Sequence, residues 1–130
     1  MADQEKLSHA LEDYLEAIVM MAPSIDTPVK SVAIASKLGV SKPSVNNALS
    51  ALKAKGFITQ EPYGDIYLTA EGLAYGQDTL NRHNTLMSFF IDVLGVEPGR
   101  AEEEACCIEH VISDDTFERW TEHVDKVLGK

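Results

Sequence analysis

Apolar side chains recur at three- and four-residue intervals near the start of the chain, which is the spacing of an amphipathic helix. The apolar stripe of this first helix consists of Leu11, Tyr14, Leu15, Ile18 and Val19. Ser8 can cap its first turn, and Pro23 with the cluster Asp26-Thr27-Pro28 ends it. The pattern therefore predicts a helix with one buried face.

Two further helices follow in quick succession. The second is expected over about 29 to 38 and is closed by Gly39, which easily adopts the left-handed conformation at a helix C-terminus. Ser41 can cap the third, with Pro43 in the first turn, where its missing N–H costs nothing. This third helix is expected to run to about Lys55.

The third helix divides into an apolar and a polar face. Its inward positions are Val45, Ala48, Leu49 and Leu52. Its outward positions are Lys42, Ser44, Asn46, Asn47, Ser50 and Lys53. A short helix, a glycine-containing turn and a second helix with a small, polar, basic outer face form the helix-turn-helix pattern.

The rest of the chain predicts a hairpin and three more helices. Short β-prone runs at 57–59 and 66–68 flank the turn sequence Glu61-Pro62-Tyr63-Gly64-Asp65, and a hairpin directly after a recognition helix indicates a wing. Thr69 can cap a long helix over about 70–94, and helices over 100–112 and 114–128 follow, the last capped by Ser113. The expected fold is mainly α with a small β-hairpin: a winged helix-turn-helix domain over 1–73, then a helical domain over 74–130.

Charge changes the picture of this otherwise acidic chain. Its net charge is -10, yet residues 27 to 60 hold five lysines and no aspartate or glutamate. A basic block inside an acidic protein is typical of polyanion binding, with a lysine-covered solvated face as the alternative. The lysines expected to neutralise DNA phosphates are Lys42, Lys53 and Lys55, with Lys30 and Lys37 behind them.

Base reading is expected from the start of the third helix. The candidates are Ser41, Pro43, Ser44, Asn46 and Asn47. Asparagine can pair bidentately with adenine, and the proline ring can touch a thymine methyl. The alternative is that one of the two asparagines only faces solvent. The wing carries Glu61 and Asp65, which should repel phosphate, and the sequence leaves open whether the wing contacts DNA.

Several protein classes are disfavoured. No apolar stretch approaches the roughly 20 residues of a membrane helix, and the start lacks a signal peptide, so we expect a soluble cytoplasmic protein. The adjacent Cys106 and Cys107 suit neither a disulfide framework nor the Cys-x-x-Cys redox motif. No set of nucleophile, base and orienting group stands out, so we do not expect an enzyme.

Cys106, Glu109 and His110 form a candidate metal site, because positions i, i+3 and i+4 share one helix face. Cys107 should point elsewhere. Sulfur, carboxylate and imidazole together suit iron, manganese, cobalt, nickel or zinc and not magnesium or calcium. The alternative is a surface Glu-His pair beside a cysteine that packs as a small hydrophobe.

Other parts of the chain offer further donors. Asp13 and Glu16, three residues apart on the first helix, could supply oxygens, and His83 on the long helix could supply a nitrogen. The alternative for His83 is an ordinary residue of the helix face.

Five segments, in this order, resemble the DtxR/MntR family of iron- and manganese-dependent repressors. They are Glu12-Asp13-Tyr14-Leu15-Glu16-Ala17-Ile18, Val40-Ser41-Lys42-Pro43-Ser44-Val45, Leu68-Thr69-Ala70-Glu71-Gly72, Arg82-His83 and Cys106-Cys107-Ile108-Glu109-His110-Val111. The resemblance spans about Leu11 to Val127. It implies a short family member without the C-terminal SH3-like domain: a winged helix and a helical metal-binding and dimerisation domain, which bind operator DNA as a homodimer when loaded with Fe(II) or Mn(II).

The resemblance also implies a ligand set. The manganese branch places ligands at the positions of Asp13, Glu16, His83, Glu109 and His110, and its remaining carboxylate falls on Cys106. The iron branch uses cysteine there, with methionine at the position of Asp13 and a histidine ligand at that of Glu102. Because a thiolate favours the later, softer metals, Fe(II) is expected over Mn(II), and Zn, Co or Ni should also bind in vitro. Glu102 could contribute to a second site, although Met87 replaces a carboxylate that such a site has in the iron branch.

Dimerisation is expected to use the apolar side chains Leu80, Met87, Phe89, Phe90 and Ile91, some of which also belong to the core of their own domain. Two other functions remain open from the sequence. One is a winged-helix regulator that senses a small ligand or an oxidant through Cys106 and Cys107 without a metal. The other is an acidic protein-interaction module that does not bind nucleic acid.

Overall fold

Ser8 starts the first helix in the computed structural model, which describes residues 7–62 and 64–129. The Leu11 N–H donates a hydrogen bond of 3.3 Å to Ser8 Oγ, and α1 follows as His9–Met21. Ala22 ends it, just before Pro23. The predicted cap and its helix are confirmed. Tyr63, in the predicted wing turn, lies outside the described residues.

The helix-turn-helix consists of α2, Ser31–Leu38, and α3, Lys42–Ala54. Gly39 ends α2 at a positive φ of 66°, and the Ser44 N–H donates to Ser41 Oγ at 3.3 Å to cap α3. The expected start of α2 at Val29 is wrong. Val29 instead exchanges both backbone hydrogen bonds with Ile66, at 2.9 and 2.8 Å, and so lies extended beside the hairpin.

The wing is an antiparallel hairpin of β1, Ile58–Gln60, and β2, Ile66–Leu68, in which Ile58 pairs with Leu68. The first strand begins one residue later than expected. The reason is that the Phe57 N–H donates to the Leu52 carbonyl at 3.0 Å and closes the end of α3.

Thr69 and Gly72 join the wing to α4, Ala70–Ser88. Thr69 Oγ1 donates to the Gly56 carbonyl at 2.7 Å and accepts from the Gly72 N–H at 3.0 Å. A Cβ on Gly72 would lie 1.9 Å from the Phe57 carbonyl oxygen. Only glycine therefore lets α4 pass so close to the backbone before β1.

The chain forms two compact units, the first ending at Gln77 and the second beginning at Asp78. The core of the first unit contains Leu15, Ile18, Ile34, Val45, Leu49, Leu52, Ile58 and Ile66. The inward stripe predicted for α3 is buried at all four of its positions. The expected domain boundary after residue 73 stays a prediction.

The second unit continues from α4 through a π-helical turn, Phe89–Val93, to α5, Pro98–Glu109, and α6, Asp114–Leu128. The expected start of α5 at residue 100 is too late, because the Glu97 carboxylate accepts the N–H groups of Gly99 and Arg100 and starts the helix at Pro98. Those two hydrogen bonds also lower the pKa of Glu97. The expected end of this helix at residue 112 is too late as well, since His110 is already its cap residue.

The core of the second unit is formed by Leu86, Phe90, Ala101, Ala105 and Ile112, with Trp120 packed edge-on to Phe89 at 5.1 Å. Of the apolar side chains expected at a dimer interface, Phe90 thus belongs to the core of its own unit. Leu80, Met87, Phe89 and Ile91 are half-buried. Among the described residues, no helix is both long and apolar enough to cross a membrane.

Candidate metal-binding and DNA-binding sites

A short contact between His83 and Glu109 forms the centre of the candidate metal site. His83 lies on α4 and Glu109 is the last residue of α5. Their Nδ1 and Oε1 atoms are 2.5 Å apart, and the Glu109 side chain is fully buried. A carboxylate hydrogen-bonded to an imidazole fixes the orientation of the ring, as metal sites require.

The second oxygen of Glu109 is compatible with a bound cation. Among the residues that the structure describes, Glu109 Oε2 is buried and has no hydrogen-bond partner. His110 Nε2, also buried, lies 3.9 Å away, which is beyond hydrogen-bond distance. Because an unsatisfied buried carboxylate oxygen is costly, a bound positive ion would stabilise this arrangement.

The Cys106 thiol is the sulfur donor of the candidate metal site, and it lies in the same unit. Its Sγ lies within 4.8 Å of a ring nitrogen of His110. That limit is close to the largest separation of two donors that each lie about 2.0–2.3 Å from one ion. Cys106 is half-buried whereas Cys107 is exposed, which agrees with the different directions expected for the two thiols. Within the second unit, Cys106 and His110 therefore form one pair of close donors and His83 and Glu109 another.

The remaining sequence candidates are Asp13, Glu16 and Glu102. Asp13 and Glu16 lie three residues apart on α1 of the first unit, and both are half-buried. Glu102 is exposed on α5 and belongs to none of the donor clusters in the described part of the chain. That Asp13 and Glu16 share an ion with the second unit, or that Glu102 serves another ion, stays a prediction.

The outer face of α3 is open to solvent, as its polar pattern predicts. Exposed positions on it and just before it are Lys37, Ser41, Lys42, Pro43, Ser44, Asn46, Asn47 and Lys53. The Ser41 hydroxyl also donates to Ser44 Oγ at 3.0 Å, so both serine side chains are engaged at the start of the helix. The base-reading role expected for this face stays a prediction.

Lys30 and Asp65 form an ion pair that sequence reasoning missed. Lys30 Nζ lies 2.8 Å from Asp65 Oδ1, and this hydrogen bond raises the pKa of Lys30. The residues next to them in sequence, Val29 and Ile66, exchange backbone hydrogen bonds, and this pairing brings the two side chains together. The expected repulsion between Asp65 and phosphate is thus reduced, and so is the attraction expected from Lys30.

Two family models match most of the chain. The iron dependent repressor N-terminal DNA binding domain matches residues 6–66, and the iron dependent repressor metal binding and dimerisation domain matches residues 69–128. The chain belongs to the iron-dependent repressor family. This membership confirms the predicted resemblance, the winged-helix and helical-domain fold, and the class of metal-dependent transcriptional regulators.

Individual members of the family are similar over most of this chain. The transcriptional regulator MntR of Escherichia coli is 34% identical over 83% of this chain and 68% of its own length. An uncharacterised HTH-type transcriptional regulator of Methanocaldococcus jannaschii is 33% identical over 95% of this chain and 99% of its own. The solved structure of the manganese regulator SloR is 27% identical, with a TM-score of 0.75, over 92% of this chain. The present chain spans about half of that longer protein, 53%.

Proposed function

We propose that this protein is a transcriptional repressor that binds operator DNA as a homodimer in the cytoplasm when it is loaded with Fe(II) or Mn(II). One observation carries the metal dependence: the buried Glu109 carboxylate contacts His83 with one oxygen and has no hydrogen-bond partner for the other among the described residues. The DNA-binding and the metal-binding and dimerisation family models support the two halves of the proposal.

The ion would be held by His83, Cys106, Glu109 and His110 of the second unit. Asp13 and Glu16 would complete the coordination from the first unit. The bound ion supplies a positive centre that several donors can share. Because the donor set includes a thiolate, we propose Fe(II) as the preferred metal. Manganese remains the competitor, since the similar proteins include a manganese regulator.

Metal binding would raise the affinity for DNA by fixing the orientation of the DNA-binding helices. One ion would be held both by carboxylates of α1 and by donors of the second unit. Such shared coordination would restrict the motion of the helix-turn-helix relative to the dimerisation domain. Two-fold operators require recognition helices about 34 Å, or a multiple of that, apart, so such restriction favours the binding-competent arrangement. Coupling of the usual 1 to 3 kcal/mol corresponds to roughly 5- to 150-fold in DNA affinity.

At the DNA, we propose that Lys37, Lys42 and Lys53 neutralise phosphates. Asn46, Asn47 and Pro43 are the proposed base-reading side chains. Ser44 and Ser41 contribute to a smaller extent, because their hydroxyls contact each other.

Metal analysis of anaerobically purified protein, combined with DNA binding, tests the proposal. A DNA duplex is first selected from a random-sequence pool with the Fe(II)-loaded protein. The affinity of the protein for this duplex is then measured without metal and with Fe(II), Mn(II), Zn(II) and Co(II). We expect tighter binding with Fe(II) or Mn(II), by a factor in the roughly 5- to 150-fold range. Equal affinity with and without these ions, with a response to peroxide instead, contradicts metal dependence and favours oxidant sensing through the thiols.

Two sets of variants separate the metal and DNA parts of the proposal. His110→Ala should abolish the metal response and leave helix content unchanged. Lys42→Glu with Lys53→Glu should abolish DNA binding, whereas Lys126→Glu on α6 should not. Full DNA binding by the Lys42→Glu and Lys53→Glu protein would contradict DNA recognition through α3.

A further inference from the structure

Among the described residues of the second unit, Arg82 of α4 contacts Asp78, Ile112, Asp114 and Phe117. Its Nη1 donates to the Ile112 carbonyl at 3.0 Å, and its Nη2 forms an ion pair with Asp114. Its Nε lies 3.5 Å from Asp78, and the guanidinium carbon lies 5.0 Å from the centre of the Phe117 ring. The Arg82 side chain is only 13% exposed. One side chain thus binds α4 to the turn between α5 and α6 and to the first turns of α6.

These contacts flank the candidate metal donors on both chain segments. Arg82 immediately precedes His83, and Ile112 and Asp114 follow His110 by two and four residues. Helix α5 ends at Glu109, and the N–H groups of Val111 and Ile112 both donate to the Ile108 carbonyl, at 3.0 and 2.9 Å, so these local bonds close the turn 110–113 onto the end of α5 and do not join it to α4. The Arg82 bond to Ile112 is therefore a long-range bond that fixes the end of this turn on α4.

We propose that Arg82 is a positioning residue for the metal centre. Its guanidinium holds the 110–113 turn on α4 and thereby sets the separation of His83 from Glu109 and His110. This inference rests on the proposed function, since it takes those three residues as metal donors. Arg82 itself donates nothing to the ion; it acts through the backbone and side chains beside the donors.

The chemistry of the contact requires arginine. Two nitrogens of one planar group reach a backbone carbonyl and a carboxylate at once, while the flat face lies against Phe117. A lysine keeps the charge but has a single nitrogen, so it cannot hold both partners in this geometry. Arg82→Lys should consequently behave more like Arg82→Gln than like the wild type.

Arg119 provides a matched control in the same unit. Its Nε lies 3.2 Å from Asp115 within α6, and both side chains are more than three-quarters exposed, at 78% and 76%. Such an exposed pair within one helix contributes little to local geometry. Arg119→Gln removes the same charge as Arg82→Gln without touching the turn.

The test uses Co(II) as the probe, with the full chain purified without metal. Affinity is measured by titration, and the geometry of the site by the visible d–d and sulfur-to-cobalt absorption bands. We expect Arg82→Gln and Arg82→Lys to weaken Co(II) binding by about 10- to 100-fold, the usual effect of removing a residue that orients ligands, and to change the d–d bands. Arg119→Gln should keep the wild-type affinity and spectrum.

Asp114→Asn keeps the Arg82 bond to Ile112 and gives a second route if the Arg82 variants unfold. Asp114→Asn should also weaken Co(II) binding, but less than the Arg82 variants do. Folded Arg82 variants, or folded Asp114→Asn protein, with wild-type Co(II) affinity and bands would overturn the positioning role, even if their thermal stability fell. The proposed function and this inference would both be overturned if the wild-type protein bound no Co(II) and its DNA affinity did not change with Fe(II) or Mn(II).

Discussion

The Tyr75 hydroxyl donates a hydrogen bond of 2.5 Å to Oε2 of Glu12, a carboxylate that is only 4% exposed. The same hydroxyl accepts the backbone N–H of Leu7 at 2.9 Å. Both contacts lie within the first unit and connect α1 and the residue before its cap to α4. Glu12 directly precedes Asp13, so this pair fixes the part of α1 that carries a proposed metal ligand.

Removing the Tyr75 hydroxyl should destabilise the first unit. Tyr75→Phe removes a hydrogen bond to a buried carboxylate oxygen, and we expect a loss of about 1–3 kcal/mol in the free energy of unfolding. Urea denaturation of Tyr75→Phe, Glu12→Gln and the double variant gives the coupling between the two side chains, expected at about 0.5–3 kcal/mol. Strictly additive single effects would show that this hydrogen bond contributes nothing to stability.

The two adjacent cysteines should differ sharply in their effect on metal binding. Cys106→Ala removes the half-buried sulfur near His110, whereas Cys107→Ala changes an exposed thiol one position away. We expect Cys106→Ala to lose at least about tenfold in Co(II) affinity together with the sulfur-to-cobalt absorption band, and Cys107→Ala to keep both. Equal behaviour of the two variants in the cobalt titration would remove sulfur from the proposed ligand set.

The Lys30–Asp65 ion pair should limit the contribution of the wing to DNA affinity. Asp65→Asn removes a negative charge from the wing and releases Lys30, so we expect tighter DNA binding with a steeper dependence on salt. Lys53→Gln should instead reduce the slope of log K against log salt by about 1, the effect of one lost phosphate contact. Binding isotherms between about 50 and 200 mM salt measure both slopes. A wild-type slope for Asp65→Asn would indicate that the wing lies away from the phosphates.

Gly72 should tolerate substitution less well than Gly76 on the same helix. A Cβ at Gly72 meets the Phe57 carbonyl oxygen at 1.9 Å, whereas one at Gly76 meets Val19 Cγ2 at 2.3 Å. Overpacking of this kind costs about 1–3 kcal/mol, and we expect Gly72→Ala to lose more, because backbone moves less readily than a side chain. Thermal unfolding compares the two variants, and adding Val19→Ala should relieve only Gly76→Ala. A milder effect of Gly72→Ala would contradict the close approach of α4 to Phe57.

Local pattern was sufficient for most of the fold. The serine caps at 8, 41 and 113, the four-residue apolar stripe of α3 and the hairpin after it were all predicted from neighbours in sequence, and the structure has them. These features depend on interactions across three or four residues, which the sequence displays directly. Errors arose where a distant or unexpected partner determined the conformation, as when Ile66 holds Val29 in an extended bridge.

The sequence by itself also determined the donor types and spacing of the candidate metal site, because Cys106, Glu109 and His110 lie within one helical turn of each other. Only the tertiary structure decided that Glu109 contacts His83, that Arg82 holds the turn after His110, and that Lys30 pairs with Asp65. Those partners are 26, 30 and 35 residues apart in sequence. Helical periodicity predicts which residues share a face, but contacts between elements depend on how the elements pack, and that follows from burial of the core as a whole.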